Sequence, residues 1–321
     1  MAGAIDAPRI LIEAHMKPLQ GSRFQPTGFP SLGAAEFRGP DGRNNIVVES
    51  AQSVANRLEA AAWDDAANDL VEVLRGLPYV ATVVGERPTD SIREAHRINS
   101  PYLFGGIEET LRERAGVAGK KKKGTDGEAE SSGVDIPKLA AAVFFLDPNS
   151  VLHGVFLEKL VGSARLTRIV SGFIEAKDTN PAESGGVKND RVDPVGQKYG
   201  GAVKGFGNVP FARTEYTADS ITAYFNIDTS LLRSYRLGRD AEQLLVSLAL
   251  WKIQNFLQFG GRLRTACDLE ATEVLVKRPS SLGALPSIAE LEDYIRGAIA
   301  RCAAAGLFAN PPKTEVMFAQ K

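Results

Sequence analysis

In the run DSITAYFNID, Ile221, Ala223, Phe225 and Ile227 alternate with Thr222, Tyr224, Asn226 and Asp228. A strict two-residue period marks a strand with one buried face and one open face. RILIEAHM repeats it near the start, with Ile10, Ile12 and Ala14 set against Leu11, Glu13 and His15. Helices to cover such strands are also legible. In NNIVVESAQSVANRLEAAAW, Ala51, Val54, Ala55, Leu58, Ala61 and Ala62 keep helical spacing, while Gln52, Ser53, Asn56, Arg57 and Glu59 fall opposite. AEQLLVSLALWKIQNFLQF is apolar nearly all round, which predicts a central helix with a capping-box-like start at Asp240 and Gln243 and a stop at Gly260-Gly261. SIAELEDYIRGAIARCAAAG carries a Ser287/Glu290 capping box and ends at Gly306. YVATVVG, ARLTRIVSGFIEAK and ATEVLVKR read as strands, KLAAAVFFLD as a strand buried on both faces, and TEVMFA as a last strand.

The order strand, helix, strand, strand, helix, strand is the split βαβ pattern of ferredoxin-like folds. An α+β fold is therefore expected, stretched by large insertions and without internal repeats. One insertion is AGVAGKKKKGTDGEAESSG, 115–133, whose four lysines and small residues cannot bury a core and read as a disordered, self-repelling surface loop. The other is Asp178 to Pro210, almost free of periodicity.

The chain has 321 residues, 44% of them hydrophobic, enough for a sizeable core. Its formal net charge is -1, so any nucleic-acid role must rest on local segregation of charge. Two cysteines, Cys267 and Cys302, give neither a disulfide framework nor a cysteine zinc site and fit a reducing compartment. The opening MAGAIDAPRI lacks a signal-peptide pattern and no apolar run approaches membrane-spanning length, so a cytoplasmic protein without a membrane partner is expected.

Common catalytic signatures are missing. There is no G-x-x-x-x-G-K-[ST], no G-x-S-x-G, and GFGNVP fails the dinucleotide fingerprint. His15, His96 and His153 lie on different predicted elements, and Asp190 and Asp193 sit among basic residues in a loop, where they read as solubilising charges. No catalytic residue, metal or cofactor is expected. From Gly185 to Arg213, Lys188, Arg191, Lys198, Lys204 and Arg213 outnumber Asp190 and Asp193, and seven glycines let the main chain approach a ligand. With Asn189, Gln197, Tyr199 and Phe206, this suits a site tracking a single-stranded nucleic-acid backbone. An ordinary flexible loop has the same composition. FQPTGFPSLG poses a separate question, since Phe24, Gln25 and Phe29 sit in a segment too rich in Pro and Gly for regular structure.

RFQPTGFPSLG followed by VVESAQSVANRLE resembles the RAMP-type backbone subunit of type I-U (I-G) CRISPR interference complexes; the likeness is softer through FLQFGGRLRTACDL. The resemblance implies a modified RNA-recognition (RRM-like) palm of ferredoxin-like topology in a single domain over 1–321. It also implies a finger-like insertion at 86–140 containing the disordered 115–133, and a thumb-like insertion at 177–210. It implies a non-catalytic subunit that stacks head to tail with its own copies along a CRISPR guide RNA. That RNA pairs with target DNA, beside a large subunit and a guide-processing subunit. Residues implied to meet RNA are Lys17, Arg23, Gln25, Arg43, Gln52, Asn56, Arg57, Lys188, Asn189, Arg191, Lys198, Lys204, Arg262 and Arg264. Val187, Val192 and Val195 are candidate wedges that unstack the guide. FQPTGFPSLG would line the RNA path, anchored by Phe24 and Phe29, and RIVSGFIEAK and FARTEYT would pair as the base of the thumb. The alternative is an RNA-processing endoribonuclease on the same kind of fold, using His15 or His96 as base and Arg23 as phosphate clamp.

Overall fold

The computed structural model describes residues 5–29, 33–117, 134–160 and 164–318; the lysines at 120–123 and the Phe29 side chain fall outside this part. Strand β1 (Ile10–Pro18) is followed by β2 (Glu36–Arg38) and β3 (Asn44–Glu49). Ser50 then caps helix α1 (Ala51–Ala60) by accepting the Ser53 amide. β4 (Tyr79–Val84) and β5 (Arg87–Asp90) form a hairpin, and α2 (Phe104–Ala115), α3 (Ile136–Leu146) and α4 (Pro148–His153) pack in succession. β6 (Val155–Leu157) pairs with β7 (Ala164–Leu166). β8 (Val170–Lys177), β9 (Asn180–Lys188), β10 (Val209–Thr217) and β11 (Ser220–Ile227) come next. The chain closes with α5 (Arg239–Phe259), β12 (Arg262–Arg264), β13 (Cys267–Arg278), α6 (Ile288–Ala304) and β14 (Lys313–Glu315), the last parallel to β4.

The main sheet has seven antiparallel strands in the order β12-β13-β1-β11-β8-β3-β2. The two-residue period of the sequence is realised in it. Ile10, Ile12 and Ala14 of β1 and Ile221, Ala223, Phe225 and Ile227 of β11 are all buried on the face covered by α1 and α5, with α6 packed against α5. The opposite face is open and carries Phe173 stacked on Tyr224, with ring centroids 5.1 Å apart. Gly172 lies opposite Phe225 across the β8–β11 ladder, and a Cβ there would sit 2.6 Å from the Phe225 ring. Only glycine lets these two central strands close up.

Three local expectations are corrected. KLAAAVFFLD is helix α3, not a strand: Asp135 caps it through the Lys138 amide, and Leu139, Ala140, Val143, Phe144 and Leu146 are all buried. Its open flank carries Lys138, Ala141 and the half-buried Phe145, so only one polar residue marks the helical period in the sequence. ARLTRIVSGFIEAK breaks into β7 and β8 where the Ile169 amide turns to Leu152 O. The N-cap of α5 is Gly238 with no side-chain cap, and Asp240 instead pairs with Arg301 of α6 at 2.8 Å. The Ser287/Glu290 capping box is present as expected. Among the described residues no helix is long and apolar enough to cross a membrane.

Candidate nucleic-acid interface

β8 and β11 do not end at the edge of the sheet. Lys177 pairs with Ser220 there, and Asn180 pairs with Thr217 just beyond, so the register carries unchanged into β9 and β10. The two central strands thus continue as a free two-stranded ribbon of nine further pairs, ending at Lys188 and Val209. At about 3.3 Å per residue it reaches roughly 30 Å from the sheet. Asp178, at φ +52°, marks the exit. FARTEYT therefore pairs with NPAESGGVK and not with RIVSGFIEAK, which stays in the sheet. Both faces of the ribbon are polar, exposed or glycine, so no hydrophobic period announced it.

The first part of FQPTGFPSLG, Phe24 to Thr27, holds the root of this ribbon. Phe24 is fully buried, and its amide and carbonyl both bond to Tyr216 of β10 at 2.9 Å. The Gln25 amide donates to Ala266 O and the Thr27 amide to Val48 O. Beside this clamp Glu215 is buried yet meets two cations, Arg23 at 3.2 Å and Arg213 at 2.5 Å. The Tyr216 hydroxyl donates to Glu36, and burial with this bond pushes it up to about 12.

A second buried carboxylate, Glu49 at the end of β3, binds Arg57 of α1 at 3.1 Å, Arg264 of β12 and the Ser53 hydroxyl. Arg264 also donates to the carbonyls of Gln25 and Val48, and Arg57 to those of Arg262 and Leu263. Burial lowers both guanidinium pKa values. These two arginines tie β3, α1, β12 and the loop together. Arg262 itself is 80% exposed, 3.9 Å from Asp268.

The other sequence-selected residues separate. Gln52 and Asn56 bond each other at 3.0 Å and meet Arg168 through Gln52, on a different flank of α1 from Arg57. Lys17 pairs with Glu270, and Arg43 with Asp41 and Asp178. Lys188, Asn189, Arg191, Lys198 and Lys204 lie at the far end of the ribbon, all exposed. Among the described residues no carboxylate pairs with Lys188, Arg191 or Lys204. Val187, Val192 and Val195 are also exposed there, Val192 by 76%. The sequence reading missed Val203, Val209 and Phe211, which share this exposure.

Asp190 and Asp193 are not merely solubilising. Asp190 accepts the amides of Val192, Asp193 and Gly207, which hold its carboxyl below the usual range, and Asp193 accepts those of Lys198 and Tyr199. The Tyr199 and Phe206 rings meet at 5.4 Å. The tip is a folded knob.

The histidines serve elsewhere. His15 stands 3.5 Å from Glu273 on the open face, and His96 is exposed. His153 is buried beside Lys252 Nζ at 3.1 Å, and Lys252 also donates to Asn149 at 2.5 Å. Asn149 continues to Glu59, which takes a two-pronged bond from Arg97. Burial drives Lys252 down to about 8, His153 well below its usual value and Asp147 up to about 6. This network pins α1, α4 and α5. A lone lysine inside the otherwise apolar α5 was its sequence signal. Among the described residues no group of His, Cys, Asp or Glu could hold a metal ion.

The family described as CRISPR-associated protein GSU0053 matches residues 10–181, more than half of the chain. The chain belongs to that family. Both stretches that carried the sequence resemblance lie inside the matched span, and its CRISPR association is thereby shown. No curated protein sequence matches the chain. Solved structures similar to it include a chain of a "CRISPR RNA-guided surveillance complex, pre-nicking", at 13% identity and TM-score 0.47, covering 92% of this chain and 89% of that one. A chain of a "CRISPR RNA-guided surveillance complex" is similar at 12% identity and TM-score 0.39, covering 92% and 84%. Csc2 of Thermofilum pendens is similar at 10% identity and TM-score 0.32, covering 93% and 80%. At these identities and scores the structural likenesses say nothing of activity or partners.

Proposed function

We propose that this CRISPR-associated chain is a non-catalytic backbone subunit of a type I-U (I-G) interference complex. It binds guide RNA through phosphates and sugars and presents the bases for pairing with target DNA. The observation that carries the reading is the ribbon: two palm strands leave the sheet in register and end in a folded knob of exposed valines and unpaired cations. Exposed cations attract phosphates, and exposed apolar groups fit between unstacked bases. A two-stranded ribbon with both faces open gains little from its own fold and suits a surface completed by a partner. The partner in this reading is the next copy along the RNA, and a head-to-tail contact of this kind builds open filaments.

The strand order β13-β1-β11-β8, last-first-third-second among the core strands, supports a ferredoxin-like, RRM-like palm. In this reading 177–210 is the thumb, 86–140 the finger, and 1–321 one domain. The large subunit and the guide-processing subunit complete the complex. For the endoribonuclease alternative, Arg23 meets Glu215 and His15 meets Glu273, while His96 is exposed; cleavage of repeat RNA by purified protein, lost in His15→Ala, would favour it over the backbone reading.

The test is binding of purified protein to guide-length RNAs whose spacers are scrambled. Affinities agree across spacers and fall steeply with added salt as counterions are released. A preference above about tenfold for one spacer, or salt-independent binding, would contradict the reading.

A further inference from the structure

A cavity of ≈ 450 Å³ lies between β4, β5, β14 and the turn 63–70 that follows α1. Its apolar wall includes Trp63, Val83, Val316, Met317 and Phe318, of which Val83 is 58% and Met317 92% exposed. The Trp63 ring is held on two sides, edge-on to Tyr79 at 5.9 Å and beneath Arg93 at 4.2 Å. Both cations of the lining are already paired, Arg93 with Asp90 at 2.6 Å and Lys313 with Glu315 at 3.0 Å. The turn adds Asp64, Asp65 and Asp69, all exposed, and among the described residues no cation pairs with any of the three. Asp64 accepts the Ala66 and Ala67 amides, and Asp69 the Leu70 amide and the Tyr79 hydroxyl, neutral donors that leave the charge uncompensated. Burial, the bond to Asp69 and the charges of Asp69, Asp90 and Glu315 raise the Tyr79 hydroxyl above its ordinary pKa. An apolar wall with a surplus of carboxylates repels phosphate and suits an apolar side chain that stands beside a cation. The far end of the ribbon presents that pair twice: Arg191 next to Val192, and Lys204 next to Val203. All four are exposed, and neither cation has a carboxylate partner among the described residues. Since both valines are open to solvent in the single chain, the tip does not fill its own chain's cavity.

We propose that this cavity is the socket by which one copy receives the ribbon tip of the next, with Val192 and Val203 against its apolar wall and Arg191 and Lys204 facing the acids of the turn. The proposal rests on the head-to-tail reading above and names the surface that takes the tip; Val187 and Val209 on the ribbon's stem stay free for the guide. A patch on one copy that fits a cavity elsewhere on another builds an open array. Two preparations of the full chain, one carrying Val83→Cys and the other Val192→Cys or Val203→Cys, are mixed with guide-length RNA and oxidised with diamide. The native Cys267 and Cys302 are buried and do not compete. A disulfide-linked pair forms in the mixture and is lost when Leu19→Cys, an equally exposed site outside the cavity, replaces Val83→Cys. Arrays that assemble with neither tip position cross-linked to Val83→Cys would overturn the socket and leave head-to-tail assembly standing. No arrays from the wild type would refute both readings. In a second measurement, Asp65→Lys with Val83→Lys, both exposed, keeps the melting temperature and the affinity for an RNA long enough for one copy. It lowers array formation on guide-length RNA by about tenfold or more, because like charges then meet at the contact. Undiminished arrays would overturn the proposal. A gain in affinity for the short RNA would place the cavity on the guide and would overturn it too.

Discussion

Glu49 and Glu215 are charged yet buried, and each is neutralised by two arginines. Removing one partner of a buried ion pair is costly because the other charge stays desolvated. The cations chosen from the sequence therefore divide by what they hold. Glu49→Ala is expected to destabilise the protein by about 3–5 kcal/mol, and Arg57→Ala and Arg264→Ala also lower the melting temperature. Lys188→Ala with Arg191→Ala leaves the melting temperature unchanged and weakens RNA binding. Thermal denaturation and RNA titration of the same preparations separate the two sets. Unaltered stability in Glu49→Ala would mean that the cluster contributes little to the fold. The pairing of Arg57 with Glu49 was visible as a possibility in the spacing of VVESAQSVANR. The convergence of Arg264 on the same carboxylate was not, because it joins residues 215 apart in sequence.

Among the elements, those with one buried face were legible. β1 and β11 carry an unbroken two-residue period, and α1 a helical one, because each meets the core on one side and solvent on the other. Elements without that contrast were not. α3 has mostly apolar residues even on its open flank, and β9 and β10 are open on both sides beyond the root at Glu215 and Tyr216, so neither has a clear periodic signal. The knob was legible in composition alone, because its order comes from side-chain to backbone bonds. Asp190→Ala removes the acceptor of three amides and is expected to speed hydrogen exchange at Val192, Asp193 and Gly207 with the core unaffected. These amides hold the Asp190 pKa below its ordinary value. The stabilisation is therefore present above that ordinary value and is lost as pH falls through the depressed one. Protection of the three amides should persist at neutral pH and vanish only in acid. Equal exchange rates in Asp190→Ala and wild type would show that other contacts hold the knob.

For the whole molecule, the formal net charge of -1 conceals a segregation. In the body of the protein Lys17, Arg23, Arg43 and Arg57 are paired with acids, whereas Lys188, Arg191 and Lys204 at the ribbon's far end are not. A near-neutral chain can in this way offer cations to RNA and acids to a neighbouring copy. The most direct test counts copies on RNA by mass photometry, with electron microscopy of the same particles. Two guide-length RNAs, one twice the length of the other, are each mixed with wild-type protein and with a variant whose residues 189–208 are replaced by a short Gly-Ser turn. The account predicts that wild-type copy number doubles with RNA length and that the particles show a regular helical ridge. The variant should stay folded, bind RNA weakly and form no extended array. Wild-type particles of one copy at both lengths, or full arrays formed by the variant, would contradict it.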